Sequence, residues 1–289
     1  MKTYHIITNP VAGKNKGLKT LEAVRRVFEN AKVAFSTHTS TGEKDATNIV
    51  RKLTEAGETE IIALGGDGTL HEVLNGIADP TKCNLGLIPS GTGNDFAEHA
   101  GIPLDAEKAA ELILQSEPKE TDFIEVDGVR CMNVAGIGMD VDVLERCNRG
   151  KRKGKLKYLL SLLQSLFAFK GYEVEVTSEG VEEKRNVLIA SVCNGTQFGG
   201  GIRICPVADS TDKKLDVVVV DCIGGKMKIV KAFLQLMKGK VLELPETLHF
   251  LCDSVVFKPL VPCTVQLDGE LYKELNFSVK IGKGLHFYR

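Results

Sequence analysis

The sequence lacks several features that would place it in a class at once. It has no run of about 18 apolar residues, the length that a membrane-spanning helix needs. The first ten residues lack the charged lead and apolar stretch of a signal peptide, so we expect a cytoplasmic protein. The 37 Lys and Arg nearly cancel the 38 Asp and Glu, which leaves no excess positive charge to favour nucleic acid as a partner.

Cysteines with the spacing of a metal site or a disulfide framework are also missing. The eight cysteines form no CxxC pair and are scattered through apolar runs. In a chain of 289 residues this pattern argues against a disulfide scaffold, and a zinc site lacks its usual spacing. We therefore predict reduced cysteines in the core of an intracellular protein.

The pattern of β-rich and helical segments changes near residue 125, although no internal repeat or low-complexity linker divides the chain. Up to that point β-rich runs alternate with segments of helical spacing, which predicts a parallel sheet covered by helices. Beyond it short β-rich runs dominate, with helical segments near 156–169 and 226–238, which predicts a mainly antiparallel β domain. The predicted fold is α/β: a Rossmann-like domain over 1–125 plus about 279–289, and a β-sandwich domain over 126–278.

Two glycine-rich loops follow predicted strands and carry the strongest chemical signal. The first is GGDGT at 65–69, with a helix predicted from Thr69, and the second is SGTGND at 90–95. Glycines let a backbone approach phosphates closely, and a helix N-terminus adds partial positive charge. Asp67 and Asp95 are unexpected in loops that bind only anions, but they fit loops that also hold the magnesium of a nucleotide. A third segment, NPVAGK at 9–14, is also typical of a loop that contacts phosphates.

These motifs, in this order, resemble the diacylglycerol kinase catalytic family, which includes bacterial diacylglycerol kinases, YegS-like lipid kinases, and sphingosine and ceramide kinases. The resemblance continues through NVAGIG at 133–138, NG at 194–195, GGG at 199–201, the segment 206–216 and QLDGE at 266–270. It implies an ATP- and Mg²⁺-dependent kinase of a lipid alcohol, with diacylglycerol as the first candidate substrate. The first domain would bind nucleotide, and the second would bind lipid.

The resemblance also implies roles for individual residues. The catalytic residues would be Glu270, Asp268 and Asp67, with Glu270 as the base that takes the proton of the lipid hydroxyl. Catalytic magnesium would be held by Asp67 and Asp95. The ATP site would comprise Asn9, Pro10, Ala12, Gly13, Lys14, Thr39, Gly65, Gly66, Asp67, Gly68, Thr69, Glu72, Gly91, Thr92, Gly93 and Asn94. Within Thr39-Ser40-Thr41 the register is ambiguous, and Thr39 is favoured. Without the other motifs, Asp268-Gly269-Glu270 would read as a surface hairpin turn.

Bacterial members of this family hold a second, structural magnesium, which maps to Asp209, Asp212 and Lys214, partly through backbone carbonyls. Here the sequence departs from the pattern, because the usual Asp-Gly is replaced by Asp212-Lys213. A cation loop tolerates this replacement if the turn does not need a positive φ.

A basic stretch over 146–157 precedes an apolar segment of near-helical spacing that ends at Phe169. Such a helix either lies on an anionic membrane surface or belongs to the core. The first reading predicts transient, peripheral association with a membrane. The sequence leaves open whether the chain forms a homodimer.

Two alternatives to a lipid kinase remain. An NAD kinase shares GGDGT and an N-terminal α/β domain, but the SGTGNDFA loop and the late DGE motif argue against it. The other is a non-catalytic lipid-binding protein on the same scaffold. The joint presence of Asp67, Asp95, Asp268 and Glu270 argues against that reading.

Overall fold

A computed structural model describes residues 2–10, 17–148, 164–165, 170–273 and 275–289 of the chain. The described residues form two compact units. One comprises the described residues within 1–123 and 282–289, and the other comprises those within 124–281. The chain leaves the first unit within the strand Lys119–Val126 (β5) and returns within the strand Ser278–Phe287 (β15).

The first unit is a parallel sheet with helices in the connections. Its elements are β1 (Thr3–Thr8), α1 (Gly17–Asn30), β2 (Ala34–Thr39), α2 (Asp45–Glu55), β3 (Glu60–Gly65), α3 (Asp67–Gly76), β4 (Asn84–Pro89), α4 (Asp95–His99) and α5 (Ala106–Gln115). The strands lie side by side in the order β4-β3-β1-β2, all parallel. The last residues of β15 pair parallel with β4. Every residue of β3 is buried, as expected for the centre of a sheet covered by helices.

The predicted start of the helix after β3 was wrong by two residues. Helix α3 begins at Asp67 rather than at Thr69, and Gly66 is its N-cap. The carboxylate of Asp67 therefore lies in the first turn of the helix, where the helix dipole favours a negative charge.

The second unit is an antiparallel β-sandwich, as predicted. Its elements are β6 (Val129–Cys131), β7 (Val134–Gly138), α6 (Met139–Asn148), β8 (Tyr172–Ser178), β9 (Val181–Cys193), β10 (Leu215–Asp221), α7 (Lys226–Met237), β11 (Thr247–Cys252), β12 (Ser254–Pro259), β13 (Val265–Leu267) and β14 (Glu270–Tyr272). The long strand β9 pairs with β8 through its first half and with β7 and β10 through its second half.

Apolar side chains on the two faces of these strands form separate cores. Val192, Val217 and Val219 belong to one core. Cys193, Val218 and Val220, their neighbours in sequence, belong to the other. This alternation is the period of two that a strand with both faces buried requires.

Candidate functional site

The loops predicted to bind ATP meet at one edge of the first unit. Strands β1, β2, β3 and β4 are neighbours and parallel, so their carboxyl ends share an edge. Asn9 follows β1, Thr39 ends β2, Gly65 ends β3 and Ser90 follows β4. This is the position at which ligands bind in open parallel sheets. Ala12, Gly13 and Lys14, also predicted for this site, lie outside the described residues.

The two glycine-rich loops contact each other through their backbones. Ser90 N–H donates a hydrogen bond of 2.8 Å to the carbonyl of Gly65. A Cβ atom on Gly66 would lie 2.9 Å from Cα of Gly91, and one on Gly91 would lie 2.5 Å from Cα of Gly66. Neither position can carry a side chain without displacing the other loop. The glycines are therefore required for the close approach of the loops.

Asn94 fixes the shape of the second loop. Its backbone adopts the left-handed conformation, with φ of 57°. Its side-chain oxygen accepts a hydrogen bond of 3.0 Å from Gly91 N–H, and its amide donates to the Gly91 carbonyl at 3.2 Å. Asparagine is one of the few residues that tolerate this conformation and supply such local hydrogen bonds. Thr92, between them, is exposed to solvent.

The two carboxylates predicted to hold catalytic magnesium belong to adjoining helix N-termini. Oδ1 of Asp67 accepts a hydrogen bond of 3.3 Å from the N–H of Phe96, the residue that follows Asp95. The side chain of Asp95 is buried, with 5% of the residue exposed. Carboxylate oxygens such as these are the hard ligands that Mg²⁺ prefers.

The three polar residues from the end of β2 onward have different environments, which bears on the ambiguous register there. Thr39 is exposed at the edge of the sheet. Ser40 is buried, and both its N–H and its hydroxyl donate to the Thr8 carbonyl. Thr41 donates through its N–H and its hydroxyl to Asp45. Thr39 thus stays the favoured candidate for contact with a nucleotide.

Two hydroxyls that the motif analysis missed also lie at this edge. Oγ1 of Thr8 and Oγ of Ser90 are buried, and neither has a hydrogen-bond partner within the described part of the chain. A buried hydroxyl without a partner is costly, so both are available to a polar ligand. Their positions at strand ends, next to Asn9 and Gly91, are the signal that could have identified them.

In the second unit, the predicted DGE motif forms a tight hairpin between β13 and β14. Leu267 pairs with Glu270, so Asp268 and Gly269 are the two turn residues, with φ of 52° and 90°. Two positive φ angles are typical of the type I′ turn, for which Asp-Gly is a preferred sequence. Glu270 follows the turn and is exposed. The hairpin reading and the catalytic reading of the motif are thus compatible.

Asp268 is bound to the backbone around β7. Its carboxylate accepts hydrogen bonds from the N–H groups of Met132, Asn133 and Val134 at 2.7, 2.9 and 3.3 Å. The thiol of Cys131 donates to it at 3.1 Å. These contacts hold the turn that precedes Glu270, so Asp268 serves to position the hairpin.

A buried carboxylate that the motif analysis missed lies beside this hairpin. Asp140, near the start of α6, is 2% exposed, and its oxygens make no hydrogen bond within the described residues. Burial raises its pKa to about 6, although the partial positive charges of the nearby Val141 N–H and Gln266 amide act in the opposite direction. A Cβ on Gly136 would collide with its Oδ2 and lie 3.2 Å from both Gln266 Nε2 and Ser191 Oγ. Gln266 in turn accepts a hydrogen bond from Gly269 in the turn.

The predicted structural cation loop contains a strained residue. Lys213 has φ of 64°, so the condition under which Lys could replace Gly without strain is not met. Oδ1 of Asp209 accepts from Thr211, and Oδ1 of Asp212 accepts from Lys214 N–H at 2.9 Å. Burial and the nearby carboxylates of Asp209 and Asp216 raise the pKa of Asp212, although the Lys214 N–H opposes the shift.

The segment predicted to touch membranes lies outside the described residues, apart from the C-terminal part of α6 and residues 164–165. Among the residues that the structure describes, no helix is long and apolar enough to cross a membrane.

Comparisons with known proteins agree with the motif resemblance. The family model described as "Diacylglycerol kinase catalytic domain" matches residues 3–126. A second model, "YegS C-terminal NAD kinase beta sandwich-like domain", matches residues 133–284.

Individual relatives cover most of the chain. A "Diacylglycerol kinase" of Bacillus subtilis is 29% identical over 93% of this chain and 90% of its own length. A "Probable lipid kinase YegS-like" of Pseudomonas syringae pv. syringae is 31% identical over 84% of this chain and 80% of its own. A crystal structure of a diacylglycerol kinase from Bacillus anthracis shares the fold, with a TM-score of 0.77, 23% identity, and coverage of 99% of this chain and 96% of that one.

Proposed function

Because the chain belongs to the family of diacylglycerol kinase catalytic domains and YegS-like proteins, and is therefore a lipid kinase, we propose that it transfers the γ-phosphoryl group of ATP to a lipid hydroxyl. Diacylglycerol, which would yield phosphatidic acid, is the first candidate acceptor. A related lipid alcohol is the second. The lipid substrate follows from the family, whereas the use of ATP and the choice of diacylglycerol are proposals.

The contact between the 65–69 and 90–95 loops is the observation that best supports ATP as the phosphoryl donor. Gly66 and Gly91 are packed Cα against Cα, each loop precedes a helix, and both lie at the carboxyl edge of the sheet. Backbone N–H groups and a helix N-terminus attract phosphate oxygens. In this proposal Asn9, Pro10, Thr39, Thr69, Glu72 and the glycines of both loops surround the nucleotide.

Asp67 and Asp95 are proposed to hold the magnesium that accompanies ATP. The residues fit this ion, because both are carboxylates and Asp67 is tied to the backbone next to Asp95. When bound, the ion would neutralise charge on the phosphate oxygens. The proposed structural cation at Asp209, Asp212 and Lys214 is a separate site, and it would have to bind despite the strain at Lys213.

Glu270 is proposed to act as the general base. As the lipid oxygen forms its bond to the γ-phosphorus, the hydroxyl proton passes to the Glu270 carboxylate. The bond between the γ-phosphorus and the bridging oxygen breaks, and ADP leaves with that electron pair. Asp268 contributes by holding the turn before Glu270 through its hydrogen bonds to residues 131–134. Peripheral membrane association and a homodimer stay predictions.

The variant Glu270→Gln distinguishes a role of Glu270 as general base from a role in binding the nucleotide. General-base catalysis contributes about 10²- to 10⁴-fold, so single-turnover phosphoryl transfer to lipid should slow by about that factor while ATP affinity stays nearly unchanged. Glu182→Gln is the matched control, since Glu182 is also an exposed strand residue of the second unit, and it should behave as wild type. A full transfer rate for Glu270→Gln would refute the base, and loss of ATP affinity would make Glu270 a nucleotide ligand instead.

A further inference from the structure

Three adjacent strands of the second unit direct metal-binding side chains to the same face. Cys193 on β9 and Asp216 on β10 are direct partners in the antiparallel register. His249 on β11 is the partner of Val218, two residues from Asp216 and therefore on the same face of the sheet. The spacing of cysteines along the sequence gave no sign of this arrangement, because each residue comes from a different strand.

Cys205, from the segment between β9 and β10, adds a second thiol to this group. Its Sγ lies 4.0 Å from Nε2 of His249, and that nitrogen lies 2.6 Å from Oδ1 of Asp216. The ligand atoms of these three residues all lie within 4.8 Å of one another. Cys193, the direct register partner of Asp216, lies on the same face of the sheet and packs in the same core as Cys205. All four residues belong to the second unit.

The geometry differs from that of a nucleophilic Cys-His-Asp triad. In a triad the carboxylate and the nucleophile bind opposite nitrogens of the imidazole, so that one orients the ring while the other exchanges a proton. Here the carboxylate of Asp216 and the thiol of Cys205 converge on the same nitrogen, Nε2 of His249. The ligand atoms of Cys205, Asp216 and His249 thus form a cluster that could surround a metal ion if the hydrogen bond between Asp216 and His249 opens.

Burial also favours a bound cation. Asp216 is 3% exposed, and Cys193 and Cys205 are fully buried. The His249 side chain is 29% exposed, which leaves one side of the group open for entry of an ion. Tetrahedral zinc with bonds of about 2.0–2.3 Å places its ligand atoms about 3.3–3.8 Å apart. Side-chain shifts of about 1 Å would bring the distances among Cys205, Asp216 and His249 into that range.

We propose that Cys193, Cys205, Asp216 and His249 bind Zn²⁺, or a divalent ion of similar affinity for sulfur, as a structural site of the β-sandwich. Two thiolates, an imidazole and a carboxylate form a closed set of four ligands, typical of a structural rather than a catalytic zinc site. The ion would tie the segment that carries Cys205 to strands β9, β10 and β11. The site is independent of the proposed phosphoryl transfer.

The test uses the full chain purified under reducing conditions, with metal content measured by mass spectrometry and Co²⁺ titrated into the metal-free protein. We expect about one zinc per chain and a cobalt spectrum with thiolate charge-transfer bands. Cys205→Ala and His249→Gln should weaken cobalt binding by about 100-fold or more, since even residues that only support ligands are worth about 10- to 100-fold. Cys263→Ala, which removes a partly buried thiol elsewhere in the second unit, should bind as wild type.

Circular dichroism checks that each variant is folded. If Cys205→Ala does not fold, the conclusion rests on His249→Gln alone. A chelator should lower the melting temperature of wild type but not that of His249→Gln. Three results would overturn the proposal. They are a cobalt spectrum without thiolate bands, unchanged binding in folded variants, and a Cys193–Cys205 disulfide in freshly purified, metal-free protein.

Discussion

Replacing Asp140 by Asn removes a negative charge from the interior of the second unit. The pKa of Asp140 is raised from 3.8 to about 6 because burial disfavours its charged form. Each pKa unit corresponds to about 1.4 kcal/mol, so keeping this carboxylate ionised in the folded protein costs about 3 kcal/mol well above pH 6. The folded state binds the proton more tightly than the unfolded state. The stabilising contribution is therefore complete below about pH 4 and is lost as pH rises through about 6.

Asn is neutral at every pH, so Asp140→Asn should be more stable than wild type by an amount that grows with pH. We expect a gain of less than about 1 kcal/mol near pH 4, about half of the full value near pH 5 and about 3 kcal/mol near pH 8. Urea denaturation at these pH values measures the difference in unfolding free energy. Asp142→Asn, the same change on a half-buried residue of α6, is the control and should show no such gain. A difference that does not vary with pH, or a less stable variant near pH 8, would show that burial does not raise the pKa of Asp140 in this way.

Three further changes test other features of the structure. Gly91→Ala places a Cβ 2.5 Å from Cα of Gly66 and should lower ATP affinity by at least about tenfold in equilibrium binding. The control Gly224→Ala, whose Cβ meets nothing within 4 Å, should leave ATP affinity unchanged. Equal affinities of the two variants would contradict the loop contact. Lys213→Gly should raise the unfolding free energy by about 0.5–1 kcal/mol, because relief of left-handed backbone strain exceeds the conformational entropy that Gly adds to the unfolded chain. A lower unfolding free energy in urea denaturation would contradict the positive φ. Asp268→Asn replaces one carboxylate oxygen with an amide group that faces backbone N–H donors, so it should lower the unfolding free energy by about 2–4 kcal/mol in the same assay. An unchanged unfolding free energy would contradict the structural role of Asp268.

Much of the first unit could be predicted from sequence because its signals are local. Strand β3 is apolar after its first residue, Glu60, and leads directly into GGDGT, so its burial and the loop at its carboxyl end follow from one segment. The strand-helix alternation then places the loops at one edge, because all carboxyl ends of a parallel sheet point the same way. The helix start at Asp67 was missed because helix boundaries depend on capping geometry.

Features that depend on contacts distant in sequence could not be predicted. Asp140 reads as an ordinary residue of a helix N-terminus, and only the packing around Gly136 and Gln266 shows that it is buried. Cys193, Cys205, Asp216 and His249 lie on separate strands and a connecting segment, so the rule of local cysteine spacing gave no sign of a metal site. The positive φ of Lys213 could not be predicted from its own residue type, because Lys rarely adopts this conformation.

Transfer of labelled phosphate from ATP to lipid is the most direct test of the proposed lipid kinase activity. Full-length protein is incubated with γ-labelled ATP, Mg²⁺ and mixed micelles of diacylglycerol, a total lipid extract, or NAD, and the labelled product is identified. We expect label in a phosphorylated lipid and none in NAD. Asp67→Ala should reduce the signal by at least about 100-fold, because such charged clamps contribute that much. Label in NAD alone or the lack of a lipid product from any extract would contradict the proposed lipid kinase activity. Activity of Asp67→Ala within about tenfold of wild type would contradict the proposed role of Asp67.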